Sequence, residues 1–72
     1  MYDIIQNRLS AIRTTIKNER IARGISQTQL AAELHINQKT YSKIESGDMP
    51  LRIDKLISIS EVLHISVKEI VR

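Results

Sequence analysis

Apolar residues return along the first third of the chain at Ile5, Leu9, Ile12 and Ile16, spaced by four, three and four. That spacing lays one stripe along an amphipathic helix, predicted from about Asp3 to Arg23 and stopped by Gly24. Leu30 and Leu34 repeat the interval one turn apart, with small Ala31 beside them. Ser26 three positions before Gln29 is a capping box, so a second helix begins near Gln27. Asn37 caps a third. Pro50 introduces a fourth, on which Ile53, Leu56, Ile59, Ser60 and Leu63 share a face. Ser66 and Glu69 form another capping box, opening a last short helix with Val67, Ile70 and Val71. The pattern is all-α throughout. Ile57 and Val62 fall off the main stripe of the fourth helix and join Ile65 and Val71 as candidates for an exposed apolar patch.

Rotating 100° per residue from Gln38 sends Tyr41 and Ile44 one way, with Thr40 and Glu45 at the edges of their sector, and Gln38, Lys39, Ser42 and Lys43 the other. The first face is core. The second carries a chemistry: a helix fits the major groove of duplex DNA, where a glutamine amide pairs with adenine and a lysine with the two acceptors of guanine. A polar helix face is often only solvated. Here a capped short helix, a three-residue turn and a second capped helix that carries the face are all present, which is the arrangement that presents such a face to DNA.

Leu34-His35-Ile36-Asn37 and Leu63-His64-Ile65-Ser66 are one device used twice: a helix-ending leucine, a turn residue, an isoleucine returning to the core, and the next cap. Histidine tolerates a left-handed backbone better than most side chains, and positive charge suits a helix C-terminus. Both histidines are therefore read as structural, without a metal or an acid–base role.

Composition narrows the field. Seventy-two residues, 42% of them hydrophobic and only two glycine and one proline, suit a single small helical domain with a modest core. The absence of cysteine removes disulfides and thiolate zinc sites and fits a reducing cytoplasm. No apolar run approaches the ~20 residues needed to span a bilayer, and no signal peptide is expected, so no membrane role is predicted. A formal charge of +3 mildly favours an anionic partner. Arg8, Arg13, Lys17, Arg20 and Arg23 outweigh Asp3 and Glu19 in the first 25 residues, leaving the first helix open either to flank phosphates or to be plainly solvated. Two tyrosines without Trp or Phe make single-strand stacking a poor expectation. No nucleophile elbow, phosphate-gripping glycine loop or metal-spaced carboxylate cluster occurs, so neither an enzyme, a cofactor nor a small-molecule ligand is predicted.

The chain resembles the phage-repressor and Cro-like helix-turn-helix domains, the XRE family, from about Arg13 to Val71. The match is densest at Gly24-Ile25-Ser26-Gln27, Leu30-Ala31, Tyr41-Ser42-Lys43-Ile44-Glu45-Ser46-Gly47 and from Leu56 to Ile70. The resemblance implies a compact five-helix, lambda-repressor-like bundle that binds double-stranded DNA through its third helix, with Gln38, Lys39, Ser42 and Lys43 facing the bases. It further implies that Gln27 touches a phosphate and braces the reader helix, and that Thr40 and Ser46 meet the backbone. Arg20 and Glu45 occupy positions that commonly form an internal ion pair. The C-terminal end often dimerises in this family, so a homodimer on a pseudo-palindromic operator is expected through Ile57, Val62, Ile65 and Val71.

Two departures stand out. His35 occupies a slot that is usually glycine, and only Asp48 and Met49 separate Gly47 from Pro50; the short loop either removes a phosphate contact or moves it to Arg52. The first helix is also long for the family. Residues 1–12 form an N-terminal extension, open either to a partner or to folding back as extra core. Two classes of function therefore stand: a sequence-specific transcriptional regulator, as in phage switches and restriction–modification controllers, and an antitoxin-like interaction module that also binds DNA for autoregulation.

Overall fold

A computed structural model describes residues 2–71, which form five helices in sequence: α1 (Tyr2–Ala22), α2 (Gln27–Glu33), α3 (Gln38–Ser46), α4 (Ile53–Leu63) and α5 (Val67–Val71). The caps expected from the sequence are in place at two helix starts. Ser26 Oγ accepts from the Gln29 amide at 3.0 Å, and Gln29 Oε1 accepts from the Ser26 amide at 2.7 Å. Asn37 Oδ1 accepts from the Thr40 amide at 2.8 Å. Only half of the box at Ser66 is made, by the Glu69 amide donating to Ser66 Oγ at 3.2 Å. Helix α4 starts later than Pro50 suggests. Its N-cap is Arg52, whose side chain cannot accept from a backbone amide and makes no cap bond.

Three helices stop by the same geometry. After α1 the amide of Ile25 donates to Arg20 O and that of Gly24 to Ile21 O; after α2, Ile36 donates to Ala31 O and His35 to Ala32 O; after α4, Ile65 donates to Ser60 O and His64 to Glu61 O. This is the Schellman pattern, which requires a left-handed residue at the stop. Gly24 (φ 68), His35 (φ 58) and His64 (φ 57) supply it. In each case the next residue is an isoleucine, and Ile25, Ile36 and Ile65 all pack against the core. The repeat read from the two histidine segments thus extends to the glycine stop of α1.

The core gathers Ile16, Leu30, Ala31, Leu34, Tyr41, Leu56, Ile59, Leu63 and Ile70. Helix α1 packs on α3, α4 and α5, α2 packs on α3 and α4, and α4 packs on α5. Burial fades along the α1 stripe, from buried Ile16 through half-buried Ile12 and Leu9 to exposed Ile5. Helix α1 is unbroken over 21 residues, about 31 Å at 1.5 Å per residue, in a molecule 35 Å along its longest axis. Its first turns overhang the bundle, with Ile4 and Ile5 60% and 47% exposed, whereas at the other end of the extension Ile12 packs partly against the core. Ile53 corrects the sequence reading. Placed there on the core face of α4, it is 68% exposed, because as the first residue of the late-starting helix it lies at the rim, where no helix crosses it.

Candidate nucleic-acid interface

Helix α3 divides cleanly. Tyr41 and Ile44 are buried, while Gln38, Lys39 and Lys43 are exposed and Ser42 is half-buried. Leu30 and Ala31 of α2 and its C-cap Leu34 are buried in the core together with Tyr41, so α2 backs α3 and leaves its polar face open. Asn37 at the start and left-handed Gly47 (φ 96) at the end fix its limits. The half-buried position of Ser42 sets it apart from the two lysines. It lines a notch of about 140 Å³ with Lys17, Gln27, Glu45 and Ser46, on the flank of α3 that faces α1.

A charged network holds the helix at this angle. Arg20 of α1 grips Glu45 of α3 through both ends of its guanidinium, Nε to Oε2 at 2.9 Å and Nη2 to Oε1 at 3.0 Å, and its Nη1 donates to Ile25 O at 2.9 Å. Tyr41 Oη donates to Glu45 Oε2 at 2.5 Å, and Gln27 Nε2 of α2 donates to Glu45 Oε1 at 3.2 Å. Arg20 and Glu45 are both buried. Burial opposes ionisation of Glu45, but the hydrogen bonds from Arg20, Tyr41 and Gln27 outweigh it and hold the carboxyl below its ordinary pKa. The Tyr41 phenol moves up, through burial first and then through its bond to that carboxylate. The bond to Glu45 likewise raises Arg20. Low dielectric makes such a pair expensive unless every lone pair is matched, and no buried side-chain polar atom among the described residues lacks a partner.

Arg13 adds a second grip that the sequence reading left among the scattered basic residues. Its Nε donates to Ile44 O at 3.0 Å and its Nη2 to Met49 O at 3.4 Å, satisfying a carbonyl near the C-terminal end of α3 that the helix itself leaves free. The signal was available: Arg13 lies seven residues before Arg20, two turns along the same face of α1.

The remaining candidates lie around this frame. Gln27 reaches from Glu45 to the first turn of α3, accepting from Gln38 Nε2 at 3.5 Å. Ser46 Oγ donates to Lys43 O at 3.2 Å and is exposed. Thr40 is half-buried. Arg52 is exposed and lies 3.4 Å from Asp54. Of the four apolar residues expected at an interface, Ile57 and Val71 are 45% and 42% exposed, whereas Val62 and Ile65 pack partly against the core. Ile53, also exposed, lies one turn from Ile57 on α4. Among the described residues no group of His, Cys, Asp and Glu could hold a metal ion, and no helix is long and apolar enough to cross a membrane.

A helix-turn-helix family model matches residues 16–70. The chain belongs to that family. Its helix-turn-helix is α2–α3, and the overhang of α1 precedes the matched region. The domain is also similar to the cryptic phage CTXphi transcriptional repressor RstR of Vibrio cholerae serotype O1, 34% identical over 59 residues that make up 82% of this chain and 53% of the relative. It thus spans about half the length of the curated relative it matches. No solved structure gives a significant match.

Proposed function

We propose that this helix-turn-helix domain is a sequence-specific, double-stranded DNA-binding transcriptional regulator that inserts α3 into the major groove. The observation that carries the reading is the exposure of Gln38, Lys39 and Lys43 on a helix pinned from behind by Tyr41, Ile44 and the Arg20–Glu45 pair. These side chains, with Ser42 at their edge, offer an amide and two ammonium groups to base edges. Gln27, Thr40, Ser46 and Arg52 surround them as backbone contacts, Arg52 the more weakly placed because Asp54 competes for it. The similarity to a phage repressor supports transcriptional control, which belongs in the cytoplasm.

The exposure of Ile57 and Val71 supports a homodimer on a pseudo-palindromic operator, with reader helices spaced by one turn of B-DNA, about 34 Å. Selection of bound sequences from a random duplex pool at fixed salt tests the reading. A two-fold-related consensus is expected, and Gln38→Ala or Lys39→Ala relaxes preference at particular base pairs, each by roughly 1–3 kcal/mol. Equal weakening of all sequences by both substitutions would reduce α3 to a positioning role.

The antitoxin-like alternative draws on one observation, the exposure of Ile4 and Ile5 on the overhang. It predicts a protein partner held through residues 1–12. Retention of a partner by the native chain and its loss on Ile5→Lys would favour that class, whereas a self-contained homodimer in sedimentation favours the first.

A further inference from the structure

We propose that Lys17 is the phosphate-contacting cation of α1, acting at the notch between α1 and α3. The proposal rests on the DNA-binding reading above and adds a residue to it. Arg13, Lys17 and Arg20 follow one another along α1 at spacings of four and three, so all three point toward α3. The two arginines are consumed inside the molecule, Arg13 by the carbonyls of Ile44 and Met49 and Arg20 by Glu45 and Ile25 O. Lys17, between them, is exposed and makes no ion pair among the described residues.

The lining of the notch suits an anion. Its five residues are Lys17, Gln27, Ser42, Glu45 and Ser46. Glu45 accepts from Arg20 twice and from Tyr41 and Gln27 once each, so its charge is answered from the protein side. Lys17 is then the uncompensated charge, flanked by the hydroxyl of Ser42, with Ser46, whose Oγ donates to Lys43 O, one turn further along α3. The volume, about 140 Å³, has the scale of a few waters at about 30 Å³ each, which the exposed oxygens of one phosphodiester can displace. Because the same α3 presents Lys39 and Lys43 beside it, a duplex reaching those lysines passes its backbone over the notch. The contact carries no sequence information. It fixes how deeply and at what angle α3 enters the groove.

The test is a salt series with the selected operator duplex and an unrelated duplex, comparing the native chain with Lys17→Gln and Lys17→Arg. Lys17 is exposed, so thermal unfolding should show both variants folded. One lost phosphate contact lowers the steepness of log affinity against log salt by about 0.9, equivalent to a roughly fivefold loss at 0.15 M salt. Lys17→Gln is expected to show that change equally on both duplexes, and Lys17→Arg to keep the native slope. An unchanged slope for Lys17→Gln, or a loss confined to the operator, overturns the assignment while leaving DNA binding intact. Failure of the native chain to bind any duplex overturns both.

Discussion

His35 and His64 hold backbone conformations that L-residues avoid, at φ 58 and 57. The left-handed region costs an ordinary residue about 1–2 kcal/mol, and glycine removes that strain while adding about 0.4–1 kcal/mol of unfolded-chain entropy. His35→Gly and His64→Gly should therefore each raise the urea midpoint, by the equivalent of about 0.5 kcal/mol, and leave DNA affinity nearly unchanged. A large affinity loss for folded His35→Gly would assign that side chain a direct role. The two glycines are the reverse case. A methyl at Gly24 meets open space and one at Gly47 meets the Arg13 guanidinium at 3.7 Å, an ordinary contact, so both alanine substitutions are opposed by the backbone alone. Gly47→Ala is expected to be the more destabilising in the same urea experiment, since φ 96 lies farther from the left-handed minimum.

At the scale of the element, one carboxylate joins three helices: Glu45 in α3 is bound by Arg20 of α1 and Gln27 of α2. Removing one partner leaves the other's charge buried, so Arg20→Met or Glu45→Ala should each cost about 3–5 kcal/mol, and the double mutant less than the sum. Tyr41→Phe removes one hydrogen bond to a charged acceptor, about 1.5–3 kcal/mol. The pH dependence follows from the lowered pKa of Glu45. The unfolded chain takes up the proton first, so the stability from this group is complete above the ordinary glutamate value near 4.3 and is lost as pH falls from there through the lower folded value. Unfolding followed from pH 6 to pH 2 should show that acid limb, flattened in Glu45→Gln.

At the scale of the whole molecule, the exposed Ile53, Ile57 and Val71 would make an apolar centre for a homodimer, for which stable interfaces bury about 1,200–2,000 Å². Ile57→Glu should give a monomer in sedimentation and a large loss of operator affinity, while Ile4→Ser with Ile5→Ser should change unfolding free energy by no more than about 0.5 kcal/mol. Helices, stops and the polar face of α3 were legible in the sequence because each is written locally, in caps at Ser26 and Asn37, in left-handed stops and in periodic leucines and isoleucines. What escaped depended on distance in space. Ile53 has a core-like position in the repeat but lies at the rim, and Arg13 and Lys17 look alike in sequence although one meets a helix end and the other a notch. The Arg20–Glu45 pair was reachable only through family resemblance, since nothing local relates residues 25 apart. The three-helix brace has one last consequence. Under the proposed function, an α3 fixed by α1 and α2 together resists tilting to suit an imperfect site, and the duplex would have to do the yielding. Operators with identical contacted bases should then rank by the stiffness of the steps between their half-sites, and substituting flexible pyrimidine–purine steps for a rigid A-tract there should shift affinity without altering any touched base.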